Sequence, residues 1–350
     1  MQNILFVITK SEVGGAQKFV QEQIVVCSSD FNVYLCTNQN DWLTKQTSKF
    51  IKETLLSKAI ESKTSVAFLF KLIGFIKKNK IDLVITNSAN AGFYGRVAAF
   101  FTNTNSCYYS HGWSSVYNGG KFSFLLNFIE KILALVSTKV ICVSQSDYCI
   151  ANQKIGIPKS KLQVVKNATL PLFAKKQSKK IDENNLRVLT LARFAHPKRI
   201  DLLVEAFKQI KFANLHIAGG GPDFAYWSNY LNKSCIENIK LLGEVPSFNQ
   251  FNEYDVFILI SDSEGLPISA IEAMSAGLPL ILSNVGGCNE LINGNGILVK
   301  NNKDEIIKAL ENVNVNYELY QANSIVHYNL NFNLETEKVN YLKMYKSFIN

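Results

Sequence analysis

Two carboxylates, Glu264 and Glu272, stand eight positions apart in the stretch SEGLPISAIEAM, on either side of a Gly265-Leu266-Pro267 corner. The run before them, Val256-Phe257-Ile258-Leu259-Ile260, has the length and apolar content of a strand, and a helical pattern follows the corner. A wholly helical path between the acids would separate them by about 12 Å at 1.5 Å per residue. That is too far for one acid/base pair, because both members must reach the same proton. It suits gripping a long ligand, one acid on the hydroxyls of a hexose and the other on a ribose diol, through charge-assisted hydrogen bonds. The helix N-terminus between them would face a diphosphate.

Other strand ends carry residues of matching chemistry. One strand pattern ends in Arg193-Phe194-Ala195-His196-Pro197-Lys198-Arg199, a cluster of cations that fits a diphosphate and equally fits a basic surface turn. Another ends in His111-Gly112-Trp113, where the glycine clears space beside the imidazole; a lone histidine is also an ordinary core residue. The first strand runs into Thr9-Lys10-Ser11-Glu12-Val13-Gly14-Gly15-Ala16-Gln17. Two missing side chains at Gly14 and Gly15 let a ligand approach the backbone and the free N–H groups of the next helix, although a plain tight turn needs glycines too. This is not a P-loop, since no G-K-[ST] follows. Nor is Gly219-Gly220-Gly221-Pro222 a dinucleotide fingerprint, which would need glycine where Phe224 stands.

The elements that must position these residues alternate from end to end. Strand patterns fall near 3–8, 31–37, 82–86, 107–110, 138–143 and 162–165, with helical patterns such as 16–26 and 122–136 between them. Residues 169–185 are polar, charged and without apolar period, a linker pattern. The alternation then restarts near 187–192, 214–218, 239–242, 256–260, 280–282 and 297–299. The expected class is α/β, two doubly wound, Rossmann-like halves: residues 1–170 and 171–334, with a terminal helix near 335–350 packing back on the first. Ligands of such sheets sit outside the carboxyl ends of the strands, so the expected site lies in a cleft between facing halves.

Composition narrows the function classes. Nearly half of the 350 residues are hydrophobic, so the chain is globular and long enough for two cores. No apolar stretch reaches membrane-spanning length, and no signal-peptide pattern opens the chain, so a cytoplasmic protein is expected. Seven scattered cysteines without C-x-x-C and four dispersed histidines point to reduced thiols and to no metal site. The net charge of +9 is concentrated: residues 49–80 hold eight lysines against Glu53 and Glu61. Such a segment is a solvated face or a contact with an anionic membrane surface. Nucleic acid is not expected, because no zinc-finger, RNP or basic-helix pattern accompanies the charge.

Taken in order, Gly14-Gly15-Ala16-Gln17, His111-Gly112, Arg193 with Lys198, Gly219-Gly220-Gly221-Pro222, Glu264 with Glu272, Ala276-Gly277-Leu278-Pro279 and Gly286-Gly287 make the sequence resemble retaining nucleotide-sugar glycosyltransferases of family 4, of GT-B architecture. The stretches TKSEVGGAQ, SHGWSSVYNGG, HPKR and ISDSEGLPISAIEA are similar to those of bacterial O-antigen transferases that add N-acetylgalactosamine to a lipid-diphosphate-linked sugar. The resemblance implies a UDP-sugar donor, an undecaprenyl-diphosphate-linked sugar acceptor, an α1,3 linkage, no cofactor, and attachment to the inner face of the cell membrane. It gives Arg193 and Lys198 to the diphosphate, Glu272 to the ribose, Glu264 to the donor hexose, Gly14 and Gly15 to close backbone approach, and His111 to the donor sugar near the reacting carbon. Where many relatives have Gly-Phe-Gly, this chain has Gly265-Leu266-Pro267; proline has no N–H, so phosphate contacts fall to Gly265, Leu266 and Ile268. Positive charge from Arg193, Lys198 and two helix N-termini would serve the departing UDP without a metal. The rival readings are a UDP-sugar epimerase or hydrolase of the same fold, and a non-enzymatic membrane-associated scaffold. Docking of residues 49–80, with the apolar stretches 66–76 and 122–136 lying among headgroups, is the expected mode of membrane attachment.

Overall fold

The computed structural model describes residues 1–62, 64–113, 116, 120–172 and 181–349. Residues 114–115 and 117–119 of the SHGWSSVYNGG stretch, and 173–180 of the linker pattern, lie outside the described residues. The chain divides into two units, Met1–Asn167 with Thr336–Asn350, and Ala168–Glu335. Each is an α/β unit on one parallel sheet.

In the first unit the strands are β1 Gln2–Ile8, β2 Phe31–Thr37, β3 Ile51–Leu56, β4 Leu83–Asn87, β5 Asn105–Ser110, β6 Lys139–Cys142 and β7 Leu162–Val164. Its helices are α1 Gly15–Cys27, α2 Trp42–Thr47, α3 Val66–Lys78, α4 Ala89–Thr102, α5 Ser123–Val136 and α6 Gln145–Ile150. The sheet order β3-β2-β1-β4-β5-β6-β7 reverses direction between β1 and β4. Ile4 to Ile8 are fully buried, as expected of a central parallel strand covered on both faces.

The second unit holds β8 Leu186–Leu191, β9 Ala213–Ala218, β10 Ile239–Gly243, β11 Val256–Leu259, β12 Leu280–Ser283 and β13 Gly296–Val299. Its helices are α7 Ile200–Phe207, α8 Phe224–Lys233, α9 Ile268–Ser275, α10 Lys303–Val315 and α11 Tyr317–Asn331. The order β10-β9-β8-β11-β12-β13 puts the reversal between β8 and β11, paired in parallel with Val256 opposite Val188. The loop bearing Arg193 leaves β8 and the SEGLP corner leaves β11, so both open at the switch point, where such sheets bind ligands. The last helix, α12 Leu334–Ile349, belongs to the first unit from Thr336 onward. There Tyr345 is fully buried, its hydroxyl donating to Gln23 and 2.9 Å from the hydroxyl of Tyr109.

Three expectations change. Thr169 is no linker residue: it is buried, bridges Asn333 in parallel, and accepts from Leu334 N at 2.9 Å. Residues 49–80 contain a strand the sequence reading missed, β3, whose Lys52 and Glu53 hide its apolar alternation. The stretch 66–76 forms α3, capped by the Ser65 side chain, and buries Phe68, Leu72, Phe75 and Ile76 in the core. Val66 and Phe70 of the same helix stay exposed.

Candidate active site

At the switch point of the second unit, two loops are sewn together by backbone. Arg199 N donates to Ile260 O at 2.9 Å, and Lys198 forms an antiparallel bridge with Ser261. Beneath the Arg193 loop runs the triple glycine: Phe194 N donates to Gly220 O at 2.8 Å. Gly219 has φ +150°, and a Cβ there would stand 2.0 Å from the Ala192 carbonyl oxygen, so the fold itself demands this glycine. The same holds across the SEGLP corner, where Gly286 at φ +52° brings its Cα against the Glu264 carbonyl; a Cβ would lie 1.7 Å from that oxygen. Glycines that the sequence offered only as motif residues serve, in these two places, as backbone-on-backbone packing.

Lys198 and Glu264 are brought together. Their side chains pair directly and are 19% and 10% exposed. Arg199 is bound instead to Asp201, with Nη2–Oδ2 at 2.7 Å, and to Asp262 at 3.3 Å, contacts that raise its pKa further above the usual arginine range. Arg193 is exposed and has no ion pair among the described residues. Of the three cations at this edge, Arg193 is therefore the uncommitted one, and Lys198 carries its charge next to the acid.

Helix α9 starts at Ile268, with Pro267 as its N-cap residue at φ −68° and ψ 117°, and no side chain caps it. The eight-residue helical path between Glu264 and Glu272 is thus corrected: only the part from Ile268 to Glu272 is helical, a rise of about 6 Å, and Glu264 sits on the preceding loop. The side chains of Leu266 and Ile268 are buried. What Gly265, Leu266 and Ile268 can offer a ligand is backbone, and Glu272 is half-buried one turn into the helix.

The switch point of the first unit gathers Gly14, Gly15 and His111. His111 Nε2 lies 3.0 Å from Asn87 Oδ1, and the ring contacts Phe19, one turn into α1, with centroids 5.0 Å apart. Burial pushes its pKa down to about 4. The imidazole is neutral at pH 7; with Nε2–H donating to Asn87, Nδ1 remains an acceptor. Because the unfolded histidine takes up its proton near 6.5 and the folded one near 4, stability is lost as the pH falls through this interval. His111→Gln should flatten the acid side of a Tm–pH profile between those values; an unchanged slope would remove the assignment.

Gly14, with φ 178°, is extended backbone that any residue adopts. A Cβ on Gly15, the first residue of α1, would meet nothing within 4 Å. A Cβ on Gly14 would stand 2.5 Å from Gln17 Oε1, the end of a flexible side chain that can shift, so neither glycine is demanded by backbone packing as Gly219 and Gly286 are. Gly15→Ala should leave Tm unchanged or slightly raised, since alanine restricts the unfolded chain. If the backbone here takes the donor diphosphate, as the resemblance implies, the methyl group should hold it off the N–H and weaken binding by about tenfold, the scale of one hydrogen bond; titration of UDP decides, and full affinity would make the glycine incidental.

Sequence reading missed the groups that shape this edge. Ser88 holds φ +75°, a rare conformation for a side-chain-bearing residue, and its hydroxyl is 2.7 Å from that of Thr9. Thr9 Oγ1 also accepts from Ala91 N at 3.2 Å. In the second unit, Asn301 Nδ2 donates to Ser261 O and Asp262 Oδ1, anchoring the end of β11. The available signal was the abrupt polarity after buried strands, Asn87-Ser88-Ala89-Asn90 and Ser261-Asp262-Ser263.

The family description Glycosyltransferase Family 4 matches residues 13–169, and Glycosyl transferases group 1 matches residues 173–324. The O-antigen biosynthesis glycosyltransferase WbnH of Escherichia coli is 39% identical over 349 residues, covering 100% of this chain and 99% of that protein. The chain belongs to the family 4 glycosyltransferases. A second Escherichia coli relative, named UDP-Gal:alpha-D-GlcNAc-diphosphoundecaprenol alpha-1,3-galactosyltransferase, is 28% identical, with 86% of this chain and 82% of that one aligned. Anabaena HepE in complex with UDP and glucose superposes with a TM-score of 0.82 at 16% identity, covering 99% of this chain and 100% of that one. This last likeness speaks to fold: the glycosyltransferase has the GT-B class of two parallel-sheet, Rossmann-like units.

Proposed function

We propose that this glycosyltransferase moves a hexosamine, N-acetylgalactosamine, from its UDP donor to an undecaprenyl-diphosphate-linked sugar with an α1,3 bond and retained configuration, in O-antigen or capsule assembly. The observation that carries the reading is the joint opening of the Arg193–Lys198 loop and the Glu264 corner at one switch point, with Lys198 on Glu264 and Arg193 uncommitted. The names of the 39% identical relative and of the α1,3-galactosyltransferase support the acceptor class and pathway.

In this mechanism the donor's anomeric C–O bond to the β-phosphate breaks first, and the sugar passes through an oxocarbenium-like centre. The acceptor hydroxyl oxygen bonds to the same face. Its proton goes to the departing phosphate oxygen, so no protein base is needed. Arg193 and Lys198 neutralise the charge that develops on UDP. Glu264 holds the hexose hydroxyls, Glu272 the ribose, and neutral His111 accepts a hydrogen bond at Nδ1 from a donor-sugar hydroxyl near the reacting carbon. A panel of UDP-sugars against lipid-diphosphate-linked amino sugars, with products read by mass and NMR, tests this. Release of free sugar or an epimerised donor without an acceptor would overturn it.

A further inference from the structure

Helix α5 is built inside out. Its protein-facing stripe is Ser123, Asn127, Glu130, Leu133 and Ala134, at the i, i+4, i+7, i+10, i+11 spacing of one helix face, with Leu133 and Ala134 its buried members. The opposite face is apolar and open: Phe124 is 84% exposed, Leu125 and Phe128 54% each, Ile132 46% and Leu135 47%. A surface helix of a globular domain turns its apolar stripe inward, and monomers rarely leave so much contiguous apolar surface uncovered. The neighbouring helix α4 extends the patch. Its buried Arg96 pairs with Glu130 at 2.8 Å, and Phe93 and Phe100, three residues before and four after Arg96, are themselves exposed.

Charge selects the occupant. The Arg96 pair neutralises the sole acid of α5. From residue 131 to 166 the chain holds six lysines and one acid, Asp147, which is buried. Lys131, Lys154 and Lys159 are exposed; Lys131 is on α5, Lys154 on the turn Ala151–Ile155 packed against it, and Lys161, two residues after Lys159, donates to Ser137 O at the helix end. An exposed apolar face flanked by lysines, with no exposed acid, matches the headgroup region of an anionic bilayer. Placement agrees. The strands are parallel, so α5 begins at the carboxyl edge that carries His111, and Phe122 and Phe124 lie at that end.

We infer that the outer face of α5, with Phe93 and Phe100 of α4, is the surface by which the enzyme lies on an anionic membrane, the lysines at residues 131, 154 and 159 meeting lipid phosphates. This rests on the membrane-borne acceptor proposed above; it keeps the expected stretch 122–136 at the membrane and moves the basic contact from residues 49–80 to the lysines beside α5. Within residues 49–80 Lys78 pairs with Glu53 at 2.8 Å, Lys71 reaches toward Leu56 O, and α3 commits Phe68, Leu72, Phe75 and Ile76 to the core, leaving only Val66 and Phe70 as its strongly exposed apolar side chains. No helix among the described residues is long and apolar enough to cross a membrane.

The test is sedimentation of the full chain with phosphatidylglycerol–phosphatidylcholine vesicles and with phosphatidylcholine alone, at low and high salt. Wild-type protein should pellet with the anionic vesicles, and salt should weaken this. Phe124→Ser with Phe128→Ser should cut binding by at least about tenfold, two exposed rings being lost to the interface, while UDP affinity shows the fold intact. Lys71, Lys77, Lys78 and Lys80 changed together to Gln should still pellet. Equal pelleting of the phenylalanine variant, or a lipid-free dimer that this variant makes monomeric, would overturn the inference. Transfer to detergent-dispersed acceptor is measured alongside. Its absence in wild type sinks the acceptor reading and leaves the docking face standing; wild type that transfers sugar but never pellets does the reverse.

Discussion

Replacing Arg193 and Lys198 together by Ala should lower kcat at least about 100-fold, the scale of losing preorganised charge at a leaving group. The two residues contribute differently. Arg193 is exposed and without an ion pair among the described residues, so Arg193→Ala should leave Tm within about 1 °C, as surface substitutions do, and act on turnover alone. Lys198 is nearly buried against Glu264. Removing it strands a carboxylate that is 10% exposed, and breaking such a pair costs about 3–5 kcal/mol when fully buried. Lys198→Ala should therefore lower both Tm and kcat, and the comparison of the two single variants separates folding from catalysis. With the phosphate charge assigned to these cations, as proposed above, activity should persist in EDTA. Chelation that abolishes turnover, with magnesium restoring it, would take leaving-group stabilisation away from Arg193 and Lys198.

The parts of this architecture legible in sequence are those where one local pattern suffices. Buried parallel strands such as Ile4 to Ile8 and Val256 to Leu259 are short apolar runs rich in β-branched and aromatic residues and closed by polar turn residues, which together separate them from buried helix segments. Strand β3 escaped because Lys52 and Glu53 sit in a lysine-rich stretch whose net charge drew the reading to the surface. Helices α3 and α5 show why composition alone could not settle burial: both are apolar runs of similar length, but one faces a core of Leu5, Val84 and Tyr94, and the other meets its own unit through Glu130, Leu133 and Ala134. At the site, residue types were legible and partners were not. Lys198 and Glu264 are 66 positions apart, and only the β8–β11 pairing makes them neighbours. The roles of Gly219 and Gly286 were hidden for the same reason, since the carbonyls that exclude a Cβ belong to distant loops.

Glu272→Ala should weaken donor binding with little change in kcat, whereas Glu264→Ala should fall mainly on kcat. Ribose does not change along the reaction, so a carboxylate that holds it stabilises ground and transition states alike, and its loss appears in KM. The hexose does change: charge develops at its anomeric carbon, and an acid on its hydroxyls acts on the transition state. A charge-assisted hydrogen bond contributes about 1.5–3 kcal/mol, so each loss should lie between about 10-fold and 150-fold. The ion pair adds a second handle. Glu264→Ala also frees Lys198, whose cation then approaches the diphosphate without a competing carboxylate, which should tighten UDP itself even as turnover falls. Glu264→Gln keeps the hydrogen-bonding shape but gives up the negative charge, so it should resemble Ala in UDP affinity and recover part of kcat. Steady-state kinetics with UDP titration of all three variants decides the matter: equal effects of Glu264→Ala and Glu272→Ala on KM alone would abolish the division of roles, and unchanged UDP affinity in both Glu264 variants would mean that the Lys198 pair does not restrain the cation.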